Sequence, residues 1–273
     1  MMHYVKTLTI AGSDSGGGAG IQADIKTMSA LGCYASSVIT AVTAQNTKQV
    51  FDIQNINPSV VEAQLRAVLT DLRPNAIKIG MVGSAENMES IAKTLSEVSD
   101  IPLIIDPVMV STSGNKLMDD SAVHTFCQQL LPLATLLTPN IPEAEVLAGM
   151  PITSVSDIDE AAMRILRRGC NALLIKGGHV EGSMKTDRLY FSNGSEPMVF
   201  EAESIETRNT HGTGCTLSSA ITALLARGLQ LEEAVAMAKN YVSNALKEGA
   251  DVEIGSGHGA VNHFYNPEKL IKQ

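Results

Sequence analysis

The stretch from Leu8 to Gly32 reads LTIAGSDSGGGAGIQADIKTMSALG. An apolar run, expected as a strand over Tyr4 to Ala11, empties into the loop GSDSGGGAG. A helix is then expected from about Ile21 to Leu31, stopped by Gly32. This strand, glycine loop and helix set a rhythm that the rest of the chain keeps. Strands are expected at Ser36 to Ala44, Val50 to Ile56, AIKIG from Ala76, LIID ending at Asp106, ATLLT ending at Thr138 and ALLIK ending at Lys176. Helices fall between them. One starts at Asn57-Pro58, an N-cap residue with proline in the first helical position, and runs to about Leu72. Others are expected near Asn87 to Val98, Ala122 to Leu131, Glu143 to Leu147 and Asp157 to Arg168. A two-strand excursion, DRLYFS and PMVFEA, precedes two closing helices with apolar periodicity, Thr216 to Ala226 and Leu231 to Lys247. Buried strands alternating with helices predict an α/β fold, a mostly parallel sheet covered on both faces. Neither a repeat nor a linker breaks the pattern, so one domain over the whole chain is expected. The Gly-rich segment after Ala250 reads as a surface loop, and its His258 and His263 match no metal spacing.

Composition narrows the class of protein. The chain has 273 residues, 44% hydrophobic and 18% charged, which is a globular rather than a disordered composition. Tryptophan is absent and aromatics are 4%, so the core must be aliphatic. The formal net charge of -9 argues against a nucleic-acid partner. Cys33, Cys127, Cys170 and Cys215 are scattered without a C-x-x-C pair, which argues against a disulfide framework or a zinc site. The N-terminus reaches polar residues and glycine too early for a signal peptide, and no apolar run is long enough to span a bilayer. A cytoplasmic protein without a membrane partner is expected.

The strongest chemical signal is NTHGTGCTLSSAI, Asn209 to Ile221. Gly212, Thr213 and Gly214 precede an amphipathic helix, where free backbone N–H groups and the helix dipole favour an anion. The same glycines could serve a plain turn, but Gly-Thr-Gly-Cys-Thr stacked on a helix start favours the anion. In phosphoryl transfer such donors stabilise the migrating group. The chain has no G-x-x-x-x-G-K-S/T motif, and the glycines of the first loop do not fit G-x-G-x-x-G.

A second signal is LLTPNIPEAE. Thr138 ends a strand, and Asn140 and Glu143 follow it at the strand end where ligands are expected. Their oxygens suit hydrated Mg²⁺ held against phosphates. They also suit a helix start, with Asn140 as N-cap and Glu143 on the dipole. Asp106 and Lys176 end apolar strands too; the first could hold the metal or its waters, the second could reach a nucleotide phosphate.

These segments, with VITAVTAQNT, KIGMVG, DPVMVSTSG and IKGGH, resemble the ribokinase superfamily. The combination of AGSDSGGGAGIQAD with THGTGC is similar in particular to its hydroxymethylpyrimidine/phosphomethylpyrimidine kinases of thiamine biosynthesis. The resemblance runs from the first strand to the penultimate helix. It implies a ribokinase-like three-layer α/β/α fold, with ATP and Mg²⁺ as cofactors, a pyrimidine substrate at the strand ends and a homodimer. It implies that Gln45 reads the pyrimidine, a carboxamide offering donor and acceptor to the ring nitrogen and amino group. Gly12, Asp24, Met81 and Val108 match positions around the substrate. Lys176, Thr138, Asn140, His211 and Thr213 fall on the ATP and phosphate side, with Asp106, Asn140 and Glu143 at the metal. His179 is a further phosphate-side candidate, and the loop from Val180 to Thr186 could cover the site.

Cys215 stands where most sugar kinases of the superfamily carry Asp, and the resembling pyrimidine kinases carry Cys. With Gly212 and Gly214 it forms the expected catalytic set. A thiol at a helix N-terminus is expected to have a lowered pKa, fit for a general base on the substrate hydroxyl. Two further readings stay open beside it: a pyridoxal kinase, because pyridoxal also carries a hydroxymethyl group on a six-membered heterocycle, and a non-catalytic binding protein on the same fold. A nicotinamide oxidoreductase is a remote third.

Overall fold

The structure is a computed structural model and describes residues 2–110, 117–177 and 183–273. One sheet collects nine strands in the order β3-β2-β1-β4-β5-β6-β7-β8-β9. They are β1 (Lys6–Asp14), β2 (Tyr34–Gln45), β3 (Val50–Asn55), β4 (Ala76–Ile79), β5 (Leu103–Ile105), β6 (Leu136–Leu137), β7 (Ala172–Lys176), β8 (Met184–Phe191) and β9 (Met198–Glu203). The central strands from β2 to β7 pair in parallel, while β3, β8 and β9 add antiparallel edges. The helices are α1 (Gly20–Ala30), α2 (Pro58–Asp71), α3 (Ala85–Leu95), α4 (Asp120–Thr125), α5 (Ile141–Ala148), α6 (Val155–Leu166), α7 (Thr213–Ala226) and α8 (Leu231–Lys247).

Each buried strand feeds both faces, because successive side chains alternate. In β4, Ile77 and Ile79 face a core shared with Leu65, Met88, Leu147 and Ile165, on the side covered by α2 to α6. Ala76 faces the opposite core with Met28, Ile221, Leu224 and Val242, on the side of α1, α7 and α8. The result is the three-layer α/β/α arrangement expected from the sequence.

Local chemistry explains most boundaries. Asn57 caps α2 by accepting the Ser59 N–H, with Pro58 in the first turn. Strand β1 runs past the expected Ala11 to Asp14, because its ladder with β2 resumes at Ser13 after a register shift around Gly12. The helix expected over Ala122 to Leu131 ends sooner. Regular α4 stops at Thr125, a wider turn covers Phe126–Leu130, and a tight turn covers Leu131–Leu133. Pro132 in that last turn has no N–H to extend a helix and disfavours helical geometry in the residue before it.

One expectation needs correcting and another needs narrowing. Helix α7 is not amphipathic: from Thr216 to Ala226 only Leu225 escapes burial, because α1, α8 and the sheet enclose it. The segment after Ala250 is a surface loop over residues 251–258, as expected, but is tied down within and beyond that stretch. The Gly259 carbonyl accepts the His211 N–H, the Thr47 carbonyl accepts the His258 N–H, and Val261 and His263 are buried. Among the described residues no helix is long and apolar enough to cross a membrane.

Candidate active site

The parallel strands all point their carboxyl ends to one rim, where an open α/β sheet places its ligands. At the rim stand Asp14 at the end of β1, Met81 and Val108 beyond β4 and β5, Thr138 and Asn140 after β6, and Lys176 at the end of β7. The N-terminus of α7 closes over them from one side. Gly212 caps this helix with φ of +79°, a left-handed backbone that favours glycine. Here a side chain would also collide with the Gly18 carbonyl, so the loops GSDSGGG and THGTG pack backbone to backbone.

Beneath Gly214 lies a charged cluster. Lys176 Nζ bonds Asp106 Oδ1 at 2.7 Å, and the Thr138 hydroxyl donates to the same oxygen at 3.2 Å. A β-carbon on Gly214 would stand 3.4 Å from Lys176 Nζ and 3.5 Å from Asp106 Oδ2, so the pair lies directly against the helix start. Burial works against the Lys176 ammonium, but the Asp106 and Glu143 carboxylates outweigh it and hold its pKa above the ordinary lysine value. Burial lifts Glu143 to about 7, and the Asp106 charge adds to the rise, while Lys176 and the backbone N–H groups of Asn140 and Met109 oppose it. Asn140 and Glu143 form a reciprocal capping box on α5, each side chain accepting the other's backbone N–H, at 2.9 and 2.8 Å. The helix-start reading of these two residues therefore holds in this structure. Among the described residues no group of three His, Cys, Asp or Glu gathers as a metal cage. Thr213 turns its hydroxyl back to the Thr210 carbonyl.

On the other side of α7 lies a second charged cluster. Lys78 Nζ bonds both oxygens of Asp24 at 2.8 Å, and both side chains are fully buried. Thr9 donates to one Asp24 oxygen and Ser219 to the other, at 2.6 and 2.7 Å. Asp24 was expected beside the substrate; its carboxylate is instead taken up by these donors beneath the rim. Ser219 lies one helical turn below Cys215, so the network underlies the thiol. Burial pushes the Cys215 thiol up to about 11; Lys78 and the Gly20 N–H pull it down, while Asp24 and Asp106 push it further up. The lowered thiol pKa expected from the helix dipole is thus overturned. Desolvation by the surrounding protein outweighs the favourable contacts, although the residue keeps partial exposure at the rim.

Towards β2, Gln45 is half-buried at the strand end, with its amide near Thr43 and His211. Gly12 sits at the register shift of β1, and a β-carbon there would meet the Met81 methyl at 2.6 Å. Met81 and Val108 are half-buried on the same rim. His211 was expected on the phosphate side, but its ring meets Asp14 and Gln45, on the β1–β2 side. Asp14 also gathers the N–H groups of Gly16, Gly18 and Ala19, so the first glycine loop spends these donors on its own carboxylate rather than on an anion. His179 and residues 180–182 lie outside the described residues.

Sequence reasoning passed over Lys78, Ser219 and Asp14. A lysine inside the apolar strand AIKI was the available signal, since a buried charge demands a partner.

A mostly parallel sheet with a buried lysine–carboxylate pair under a glycine-rich helix start defines a small-molecule kinase of ribokinase-like fold. A pyridoxal kinase from Staphylococcus aureus, solved in complex with AMP-PCP and pyridoxal, is 32% identical with a TM-score of 0.87, covering 98% of this chain and 96% of its own. A phosphomethylpyrimidine kinase from Clostridium difficile is 45% identical with a TM-score of 0.79, over 89% of this chain and 99% of its own. The hydroxymethylpyrimidine/phosphomethylpyrimidine kinase of Rhizobium meliloti is 48% identical over 94% of this chain and 96% of its own length. The sequence profile described as phosphomethylpyrimidine kinase matches residues 14–262. The chain belongs to the phosphomethylpyrimidine kinase family.

Proposed function

We propose that this chain uses ATP to phosphorylate 4-amino-5-hydroxymethyl-2-methylpyrimidine to its monophosphate and then to its diphosphate, in thiamine biosynthesis. The observation that carries the reading is the Lys176–Asp106 pair pressed against Gly214 at the start of α7, one rim away from Gln45 and Met81. The γ-phosphoryl group lies over Gly212 to Cys215, where helix-start N–H groups stabilise its charge. Lys176 neutralises phosphate, and Thr138 steadies Asp106. Thr213 and Asn140 line the ATP side.

Asp106 and Glu143 are two neighbouring carboxylates on that side, and burial, with the Asp106 charge beside it, lifts Glu143 to about 7. Such a pair fits Mg²⁺, which keeps most of its waters and takes one or two carboxylates, with Asn140 beside them. When bound, the ion neutralises phosphate charge. Gln45 and Met81 hold the ring, with Gly12 and Val108 completing the walls. Asp24 acts from beneath, through Lys78. In the first transfer the substrate hydroxyl oxygen bonds the γ-phosphorus, the bond to the ADP oxygen breaks, and the hydroxyl proton passes to the thiolate form of Cys215, which becomes the neutral thiol.

The cytoplasm is the compartment of this reading, supported by four free cysteines. So is a homodimer, supported by an apolar sheet edge at which Phe51 is 63% exposed. Sedimentation is expected to give twice the chain mass; the mass of one chain would remove the dimer.

A vitamin B6 reading stays alongside, because the pyridoxal kinase just described shares the whole architecture. ADP release from ATP with the hydroxymethylpyrimidine, its monophosphate and pyridoxal in parallel separates the two. Turnover of both pyrimidines well above pyridoxal is expected. Pyridoxal turnover alone would move the function to vitamin B6 salvage, and no turnover at all would leave a binding protein.

A further inference from the structure

Three side chains meet at the β1–β2 end of the rim, and their donors and acceptors must balance. His211 Nε2 stands 2.9 Å from Asp14 Oδ2 and 3.3 Å from Gln45 Nε2. Asp14 accepts the Gly16 N–H at 2.8 Å on one oxygen, and the Gly18 and Ala19 N–H groups at 3.0 and 2.9 Å on the other. Burial disfavours its charge, yet the His211 bond and these backbone donors outweigh burial and hold its pKa below the usual carboxylate range. An ionised carboxylate only accepts, so the hydrogen between the two groups sits on His211 Nε2. A ring N–H cannot then accept from the Gln45 amino group, and two donors would face each other.

Exchanging the Gln45 amide oxygen and nitrogen by a half-turn resolves every contact, an assignment that hydrogen-bond balance has to decide. The amide oxygen then shares the single His211 Nε2–H with Asp14, as the longer branch of a three-centre hydrogen bond. The amino group then lies 3.2 Å from the Thr43 hydroxyl, whose own hydrogen has an acceptor in the Ser13 carbonyl at 3.1 Å.

We propose that His211 is a specificity-determining positioning residue: its Nε2–H, anchored by Asp14, fixes the Gln45 carboxamide with oxygen towards α7 and nitrogen towards Thr43. The inference rests on the reading of Gln45 as the ring-contacting residue. A fixed amide offers its remaining acceptor and donor in one order. An aminopyrimidine matches one order only, because its exocyclic amino group donates and the adjacent ring nitrogen accepts. In pyridoxal the phenolic oxygen is separated from the ring nitrogen by the methyl-bearing carbon, so it lacks an amino group beside a ring nitrogen and depends less on the order.

The test has two arms. In ligand-free protein, nitrogen NMR of the His211 ring is expected to find hydrogen on Nε2; a bare Nε2 overturns the proposal whatever the enzyme does. In the kinetic arm, kcat/KM for the hydroxymethylpyrimidine and for pyridoxal is compared in the native chain, His211→Phe, His211→Gln and Thr43→Val. His211→Phe is expected to cut the preference for the pyrimidine at least tenfold, mainly through KM, since an amide no longer held in one orientation meets the pyrimidine edge less well. His211→Gln keeps a donor and is expected to restore part of the preference. Thr43→Val, which removes one hydrogen bond to the Ser13 carbonyl but leaves the loop before α7 untouched, is expected to move it in the same direction as His211→Phe. Equal losses for both substrates would reduce His211 to a structural residue. A native chain that ignores the pyrimidine would defeat the proposed function, while the NMR arm still decides the tautomer.

Discussion

Lys78→Met is expected to lower the folding free energy by about 3–5 kcal/mol, because it strands the Asp24 carboxylate in a dry interior. Both partners are fully buried, and Thr9 and Ser219 hold the same carboxylate, so no water can replace the ammonium. The loss would consume a large part of the roughly 5–15 kcal/mol by which domains are stable. Urea unfolding of native and variant chains reads it directly. Asp24→Asn is expected to be costly for the mirror reason, leaving the Lys78 ammonium without its counter-charge. Combining Lys78→Met with Asp24→Asn removes both charges, so the double variant is expected to be clearly more stable than the sum of the single losses predicts. A single-variant loss below about 1 kcal/mol, or strictly additive losses, would mean that the pair is not the closed ionic network described. Activity should fall further than stability alone explains, since the network lies one helical turn beneath Cys215.

This network also marks the limit of what a sequence displays. The strand–helix alternation, the parallel sheet and the N-cap at Asn57 were legible, because hydrophobic period and capping chemistry are local properties. So was the crowding of Lys176, Asp106 and Gly214, since each ends or begins an element at the same rim. What could not be read is which polar residues satisfy one another across the fold. Asp24 lies 54 positions from Lys78 and 195 from Ser219, and nothing local announces their meeting. The same blindness misplaced His211, whose partner Asp14 is 197 positions away. It also gave Cys215 a dipole without the burial that overrides it. Helix α5 is the opposite case: one short motif, Asn140 to Glu143, supported two readings, and the capping box that forms there is compatible with both.

Cys215→Ala is expected to slow the first phosphoryl transfer by about 10²–10⁴-fold and to change the second far less. The two nucleophiles explain the difference. An alcohol must shed a proton as it attacks, whereas the oxygens of a phosphate monoester are already anionic above about pH 6. Burial holds the Cys215 thiol up at about 11, so near neutral pH the base form is scarce. Four pH units below that value, about one molecule in 10⁴ carries the thiolate, a cost of about 5 kcal/mol that the greater basicity of the sulfur partly offsets. The sign of the pH dependence follows. Raising the pH from 7 towards 10 populates the thiolate, so the first transfer should climb about tenfold per unit in the native chain. The second transfer should stay level over the same range. In Cys215→Ala the climb should vanish while the second transfer persists, and single-turnover measurements with each substrate can separate the two steps. If the variant keeps the native slope, or loses both transfers equally, the hydroxyl proton does not pass through Cys215 and the thiol is only a small group filling the helix start.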